Sequence, residues 1–271
     1  MNIFFTGHRG FLGRELIPHI SKTHNVYTEY FDYCNSNLVQ NVVKAHNIDF
    51  IIHAAIRGGR RVREDTGDDF YNNILMFENL ANTNLPMINF CSGAAYGRES
   101  SIDGPTEYEI GKVIPKDYYG LSKFLISKRC SQLSNVKNLR FFNVFGPQET
   151  EDRFIKTNIK NYINNKSIIV FKDKYMDFFG INDTKTVVDF YINNFNDSMT
   201  PPTVNLVYDN KLSLTDIGMY INTLSEHNVN IVTNSDDWDN NYYGSGNTLR
   251  DLNLNLNGIM EEIKNCYNYI K

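Results

Sequence analysis

The sequence predicts an α/β protein: a doubly wound parallel sheet with a small C-terminal lobe. Apolar, strand-length runs alternate with amphipathic, helix-length segments through the first 150 residues. The first run, Asn2–Thr6, breaks into glycines at 7, 10 and 13 before a helix opens. A third run, Asp49–Ala55, reads as a parallel strand buried on both faces.

Each element follows from its own pattern. After Asn2–Thr6 comes Gly7-His8-Arg9-Gly10-Phe11-Leu12-Gly13, then an amphipathic segment to about Lys22. Strand, glycines and helix in that order can build a dinucleotide site. Gly7 can take the tight turn, and Gly10 lets backbone N–H groups approach a pyrophosphate. Gly13 lets the helix pack close, with the partial positive charge of its N-terminus near the phosphates. The competing reading is an ordinary surface turn.

Asn25–Tyr30 reads as the second strand, and Leu38–His46 as a helix with Leu38, Val42 and Val43 on one face. Asp49–Ala55 is followed by a helix over Asp68–Asn84 that carries Phe70, Ile74, Phe77 and Leu80. Pro86–Ser92 is the fourth strand, Asp117–Leu133 a helix and Leu139–Val144 the fifth strand. This spacing implies right-handed crossovers, with ligands at the carboxyl ends of the strands. Residues 1–150 are thus expected to form a dinucleotide-binding domain.

Beyond Gly146-Pro147 the rhythm loosens. Helices are expected at Phe154–Asn164, Asp183–Phe195, Leu214–Leu224 and Gly258–Ile270, with a strand at Ile168–Phe171. Pro201-Pro202 and Asn234–Asn241 mark loops. Residues 151–271 read mostly as a smaller substrate lobe, with return of strands from 168–208 to the sheet left open.

Composition excludes several classes. A net charge of −4 argues against nucleic acid as a partner. The longest basic cluster, Arg57–Arg63, is broken by glycines and followed by Glu64, Asp65, Asp68 and Asp69. Cys34, Cys91, Cys130 and Cys266 lie far apart, without CxxC or zinc spacing, and read as reduced, packed thiols of an intracellular protein. The histidines have no metal-ligand spacing. Met1 opens straight onto a strand, and no apolar run is long enough to span a bilayer. The expectation is a cytoplasmic protein without membrane contact.

The chemistry is concentrated in Tyr119-Gly120-Leu121-Ser122-Lys123. Residues four apart share a helix face, so phenol and ammonium point into one volume. A neighbouring cation favours the phenolate and brings it towards working range. Ser92 ends the fourth strand, where its hydroxyl could bond a substrate oxygen. Proton relay through a phenol beside a nicotinamide is the chemistry of alcohol–ketone interconversion. Taken alone, a Tyr and a Lys at this spacing also read as a surface pair.

The glycine loop, Ala54-Ala55, Asn73, Ser92 with Tyr96-Gly97, Tyr119 with Lys123, and Asn143-Val144-Phe145-Gly146-Pro147 follow one another in a telling order. That order resembles the extended short-chain dehydrogenases/reductases, the nucleotide-sugar epimerases, dehydratases and reductases. Asp177-Phe178-Phe179-Gly180-Ile181-Asn182-Asp183 resembles a later segment of the same family. Gly7-His8-Arg9-Gly10 and Ala54-Ala55-Ile56-Arg57-Gly58-Gly59 look most like the GDP-fucose synthases.

The resemblance implies a Rossmann-type fold, with Ser92, Tyr119 and Lys123 catalytic. It implies coenzyme contacts from Gly7, Arg9, Gly10, Phe11, Leu12 and Gly13, and further ones from Glu29, Ala54, Ala55, Asn73, Tyr119 and Lys123. Nucleotide-sugar contacts fall to Arg57, Gly58, Ala94, Asn143 and Lys174, with Lys172 a second choice to Lys174. Arg9 favours NADP by meeting a 2′-phosphate; Glu29 would favour NAD. A homodimer through the helices bearing Ile74, Phe77, Phe124 and Lys128 is implied as well.

The departures narrow the reaction. GDP-fucose synthases place a cysteine where Ala94 stands and a histidine after the Gly-Pro segment, where this chain has none. The 4,6-dehydratases place an Asp-Glu pair where Gly93-Ala94 stands. Dehydration and 3,5-epimerisation thus lack their acid/base groups. Ketoreduction of a nucleoside-diphosphate 4-keto-6-deoxy sugar is the favoured expectation. C4 epimerisation with tightly held NAD is the alternative, and a catalytically silent dinucleotide-binding module the reading from another class.

Overall fold

The computed structural model describes residues 1–59 and 63–271. Arg60, Arg61 and Val62, inside the basic cluster, lie outside the described residues. In chain order the elements are β1 (Asn2–Thr6), α1 (Phe11–Ile20), β2 (Asn25–Tyr27), α2 (Ser36–Ala45), β3 (Phe50–His53), α3 (Gly67–Ala81) and β4 (Met87–Ser92). A 3-10 turn (Gly93–Tyr96), β5 (Ile102–Asp103), α4 (Tyr118–Cys130), β6 (Val136–Phe141), β7 (Val144–Phe145), α5 (Phe154–Ile163) and β8 (Ile168–Val170) follow. The chain ends with β9 (Phe179–Gly180), α6 (Ile181–Asn193), β10 (Thr203–Leu206), α7 (Leu214–Ile221), β11 (Ile231–Thr233), β12 (Tyr242–Tyr243), α8 (Asn247–Asp251) and α9 (Gly258–Ile270).

Six parallel strands form the central sheet in the order β10-β6-β4-β3-β1-β2. After β1 the chain places β2 on one side and β3 on the other. That reversal opens a crevice at the carboxyl ends of β1 and β3, where doubly wound sheets hold ligands. The glycine loop leaves β1 there, and Ala54-Ala55 leaves β3 there.

The chain divides into two compact units. The first comprises residues 1–99, 107–140 and 188–204; the second comprises 100–106, 141–187 and 205–271. The first unit packs Phe4, Ile51, Phe77, Leu80, Met87, Ile126 and Val136 into one core. Its third segment returns to the sheet edge: Asn138 N–H donates to the Pro202 carbonyl at 2.8 Å. Phe195 meets Phe50 edge-on at 5.2 Å, and Asp189 meets His19 at 2.7 Å. Phe77 is fully enclosed, so Phe77→Ala is expected to cost about 3–5 kcal/mol in urea denaturation. The second unit packs Phe145, Ile155, Ile159, Tyr162, Ile168, Ile217 and Ile263.

Helix starts follow cap chemistry. Thr66 with Asp69, and Ser213 with Asp216, form reciprocal capping boxes, and Asn35 and Asp117 cap α2 and α4. Several boundaries differ from the sequence reading. α3 stops at Ala81 because Asn84 turns the chain with φ +59°, and Asn47 and Asn165 do the same beyond α2 and α5. The fifth long strand runs Val136–Phe141 instead of 139–144, because the chain then leaves the sheet and Val144–Phe145 pairs with β9. β2 ends at Tyr27, which puts Glu29 and Tyr30 beyond the strand, and Phe171 is exposed past the end of β8.

In the second unit the Glu149 carboxyl is buried, with Oε1 unpartnered, and burial pushes its pKa up to about 8 against the opposing charges of Arg153 and Lys156. The folded chain thus holds a proton that the unfolded chain releases near the ordinary value of 4.5. The stability this contributes is complete below that value and is lost as pH rises through the folded one. Urea midpoints should therefore fall between about pH 5 and about pH 9 in the parent protein, with a flatter profile in Glu149→Gln.

Candidate active site

In the first unit a cavity of about 620 Å³ opens over the glycine loop. Gly7, His8, Arg9, Gly10, Ala54 and Ala55 form its floor, and Tyr30, Phe31, Asp32, Tyr33, Ile56, Arg57 and Met76 its wall. Gly7 has φ +77°, and a Cβ there would lie 2.7 Å from the Ala54 and Ala55 backbone. The loop is thus pressed onto the end of β3. Tyr33 braces it, taking a hydrogen bond from the Gly7 N–H and donating to the Glu29 carbonyl at 2.7 Å. Gly10 begins α1 without a side-chain cap, and the buried His8 Nδ1 has no partner among the described residues. An uncapped helix N-terminus and an orphaned ring nitrogen over a glycine cradle fit the pyrophosphate end of a dinucleotide. Phe11, Leu12 and Gly13 form the first turn of that helix.

The wall revises the picture of the second strand. Glu29 does not line the cavity; its carboxylate pairs with His46 Nε2 at 2.6 Å. Among the described residues the acidic side chain in the wall is Asp32. Arg9 stacks over the Tyr30 ring at 4.1 Å. Sequence reasoning passed over Tyr30 and Asp32. The signal available was an acidic residue about 20 positions beyond the glycines, which fits Asp32 as well as Glu29.

Asn73 is engaged by the backbone of the loop after β3. Its side-chain oxygen accepts from Arg57 N–H at 2.8 Å, and its amide donates to the Arg57 carbonyl at 2.9 Å. It therefore fixes the loop after β3. That loop brings Gly59 against the Tyr119 ring: at φ +70°, an added Cβ would sit 2.6 Å from the ring. Gly58 beside it takes φ +76°, with Asp65 Oδ1 next to it.

Ser92 and Tyr119 share a hydrogen bond. Ser92 ends β4, and the 3-10 turn that follows is held by Ala94 N–H donating to Ser92 Oγ at 3.2 Å and by Arg140 donating to the Tyr96 hydroxyl at 2.7 Å. Tyr119 sits in the first turn of α4, whose start is capped by Asp117. Ala94 is buried and offers only a methyl group. Lys123 is buried one turn on, and its Nζ donates to the Phe90 carbonyl at 2.8 Å.

Lys123 is not among the leading influences on the phenol. Burial pushes Tyr119 above the ordinary tyrosine value, and the influences drawing it back are the Ser92 hydrogen bond and the Arg98 charge. Burial also lowers Lys123 itself. Arg98 lies 5.6 Å from the Tyr119 ring centre, held by Asp117 at 2.8 Å. The arrangement can keep a neutral phenol beside a hydroxyl, as a proton donor to a carbonyl oxygen requires.

The second unit holds its own polar cluster. Asn143 donates to the Asp177 carbonyl at 2.9 Å. The buried Asp177 carboxylate takes both Lys211 contacts, at 2.9 and 2.8 Å, and Gly244 N–H at 2.8 Å. Burial pushes Asp177 up to about 6 against the Lys211 charge. Lys174 is paired with Asp239 at 2.8 Å, and Lys172 with Asp237 at 3.8 Å. Lys211 escaped the sequence reading because no motif marks it.

The model of the NAD dependent epimerase/dehydratase family matches residues 3–206. The chain belongs to that family. It is an NAD(P)-dependent enzyme of the nucleotide-sugar epimerase, reductase and dehydratase group. No curated protein matches the sequence. Among solved structures, a GDP-D-glycero-L-gluco-heptose synthase from Campylobacter jejuni in the presence of NADPH shares 14% identity at TM-score 0.85, covering 99% of this chain and 97% of that one. A GDP-mannoheptose C4 reductase from the same organism, with NADP bound, shares 15% at TM-score 0.82 over 99% and 98%. A UDP-glucose 4-epimerase from Thermotoga maritima with UDP-glucose shares 15% at TM-score 0.80 over 100% and 98%. At these identities the likeness of this epimerase/dehydratase member to them is one of fold. Among its described residues no helix is long and apolar enough to cross a membrane.

Proposed function

We propose that this protein is an NAD(P)-dependent 4-ketoreductase acting on a nucleoside-diphosphate 4-keto-6-deoxy sugar, with NADP as coenzyme and NAD as the alternative. The observation that carries the reading is the Ser92–Tyr119 pair beside the buried Ala94. A proton donor and an orienting hydroxyl are present, whereas Gly93 and Ala94 place no second acid or base next to Ser92. Bound coenzyme supplies a hydride. Ser92 orients the sugar carbonyl, and Tyr119 delivers its phenolic proton to the oxygen that becomes the alcohol. Lys123 holds the coenzyme ribose, and the glycine loop with Arg9 holds its phosphates. Asn143 and Lys174 remain candidates for the nucleotide sugar, both already engaged with chain partners.

The deciding experiment follows oxidation of NADPH and NADH with GDP-, UDP-, dTDP- and CDP-linked 4-keto-6-deoxy sugars. GDP sugars come first because two of the similar structures are described with GDP-linked sugars. Stoichiometric oxidation is the expected result. Interconversion of a sugar pair without net oxidation would replace the reading with C4 epimerisation.

A homodimer through α3 and α4 is part of this proposal. Phe77 and Phe124 are buried within the protomer, so the exposed large apolar residues of these two helices are Tyr71, Tyr118 and Leu125. Leu125→Glu should shift the mass in light scattering to that of a monomer; an unchanged mass would reject this face.

A further inference from the structure

We infer that Arg57 is a coenzyme-discriminating residue: with Arg9 it receives the 2′-phosphate of NADP, and Asp32 is the counter-charge that the phosphate displaces. The inference rests on the dinucleotide reading of the glycine-loop cavity and moves Arg57 from the sugar to the coenzyme.

Three observations carry it. Arg57 lines the same cavity as Arg9, Tyr30 and Asp32. Its backbone is fixed from both sides by the buried Asn73, so its side chain springs from an anchored point although the guanidinium is half-exposed. Its guanidinium stands 3.7 Å from Asp32, a spacing that pairs charge without committing N–H donors.

Charge decides which ligand suits the wall. Among the described residues two guanidinium groups face one carboxylate there, since Glu29 is engaged with His46. A ribose hydroxyl would leave that excess cation unanswered. A phosphate ester, with nearly two negative charges and a geometry matched to guanidinium forks, answers it. Arg9 already stands over the Tyr30 ring, its guanidinium carbon 4.1 Å from the ring centre, on the same wall. Asp32 opposes the phosphate by repulsion, and Arg57 screens that repulsion while the site waits.

The test measures dissociation constants of NADPH and NADH by quenching of intrinsic fluorescence, without sugar substrate, for the parent, Arg57→Gln and Asp32→Asn. Arg57→Gln should weaken NADPH by about tenfold or more and leave NADH within about twofold. Asp32→Asn should tighten NADPH several-fold with little change for NADH. Retained NADH binding by Arg57→Gln shows that the variant is folded. Equal weakening of both coenzymes, or of neither, would overturn the inference while leaving the ketoreductase reading intact. A parent protein that prefers NADH would overturn it too. A parent that binds neither coenzyme would overturn the cavity reading and this inference together.

Discussion

Tyr119→Phe is expected to lower kcat for ketone reduction by about 10²–10⁴-fold, with coenzyme affinity and thermal midpoint close to those of the parent. The substitution removes one oxygen and leaves the ring that packs against Gly59 and Arg98. In the proposed reaction the phenol supplies the proton, and its raised pKa keeps that proton in place through neutral pH. The pH profile of reduction should accordingly stay flat through neutrality and fall only on the alkaline side, where the phenol ionises. Ser92→Ala should lower kcat less, and should move the alkaline limb upward, because Ser92 is among the influences drawing the phenol down. A Tyr119→Phe enzyme that retains parental kcat would place the proton donor elsewhere.

Gly7→Ala should be the most damaging small substitution in the glycine loop. The residue sits at φ +77°, and its new methyl would lie 2.7 Å from the Ala54 carbonyl carbon and the Ala55 nitrogen. Left-handed strain and overpacking against backbone each cost roughly 1–3 kcal/mol, and neither neighbour is a flexible side chain that could yield. Relief requires the loop to lift from β3, which carries the floor of the cavity with it. Urea denaturation should show a loss of about 2–5 kcal/mol, and coenzyme binding should fall in the protein that remains folded. Unaltered coenzyme affinity would show that the loop does not hold the phosphates.

Legibility in the sequence followed locality. Strand–helix alternation, the glycine loop and the Tyr119–Lys123 spacing are short-range patterns, and the sheet order and the Ser92–Tyr119 contact agree with them. What escaped depends on loops meeting at a distance. Glu29 looked available to a ribose until α2 brought His46 to it. Asp32 and Arg57 become neighbours only when the segments after β2 and β3 converge. Lys123 donates to the Phe90 carbonyl, a backbone partner that its helix spacing does not announce. Asn47, Asn84, Asn165 and Asn253 occupy left-handed positions that few other residues tolerate, and no motif marks them.

The late return of residues 188–204 to the first unit bears on how the chain is made. While a ribosome is still adding residues 141–187, the edge of β6 and the ring of Phe50 have no cover, because β10 and Phe195 have not yet emerged. At roughly 5–20 residues per second that interval lasts on the order of several seconds. Nascent chains stalled within it should recruit holding chaperones more strongly than the released full-length chain does. Slower synthesis would therefore prolong exposure of an open strand edge instead of helping the protein to fold.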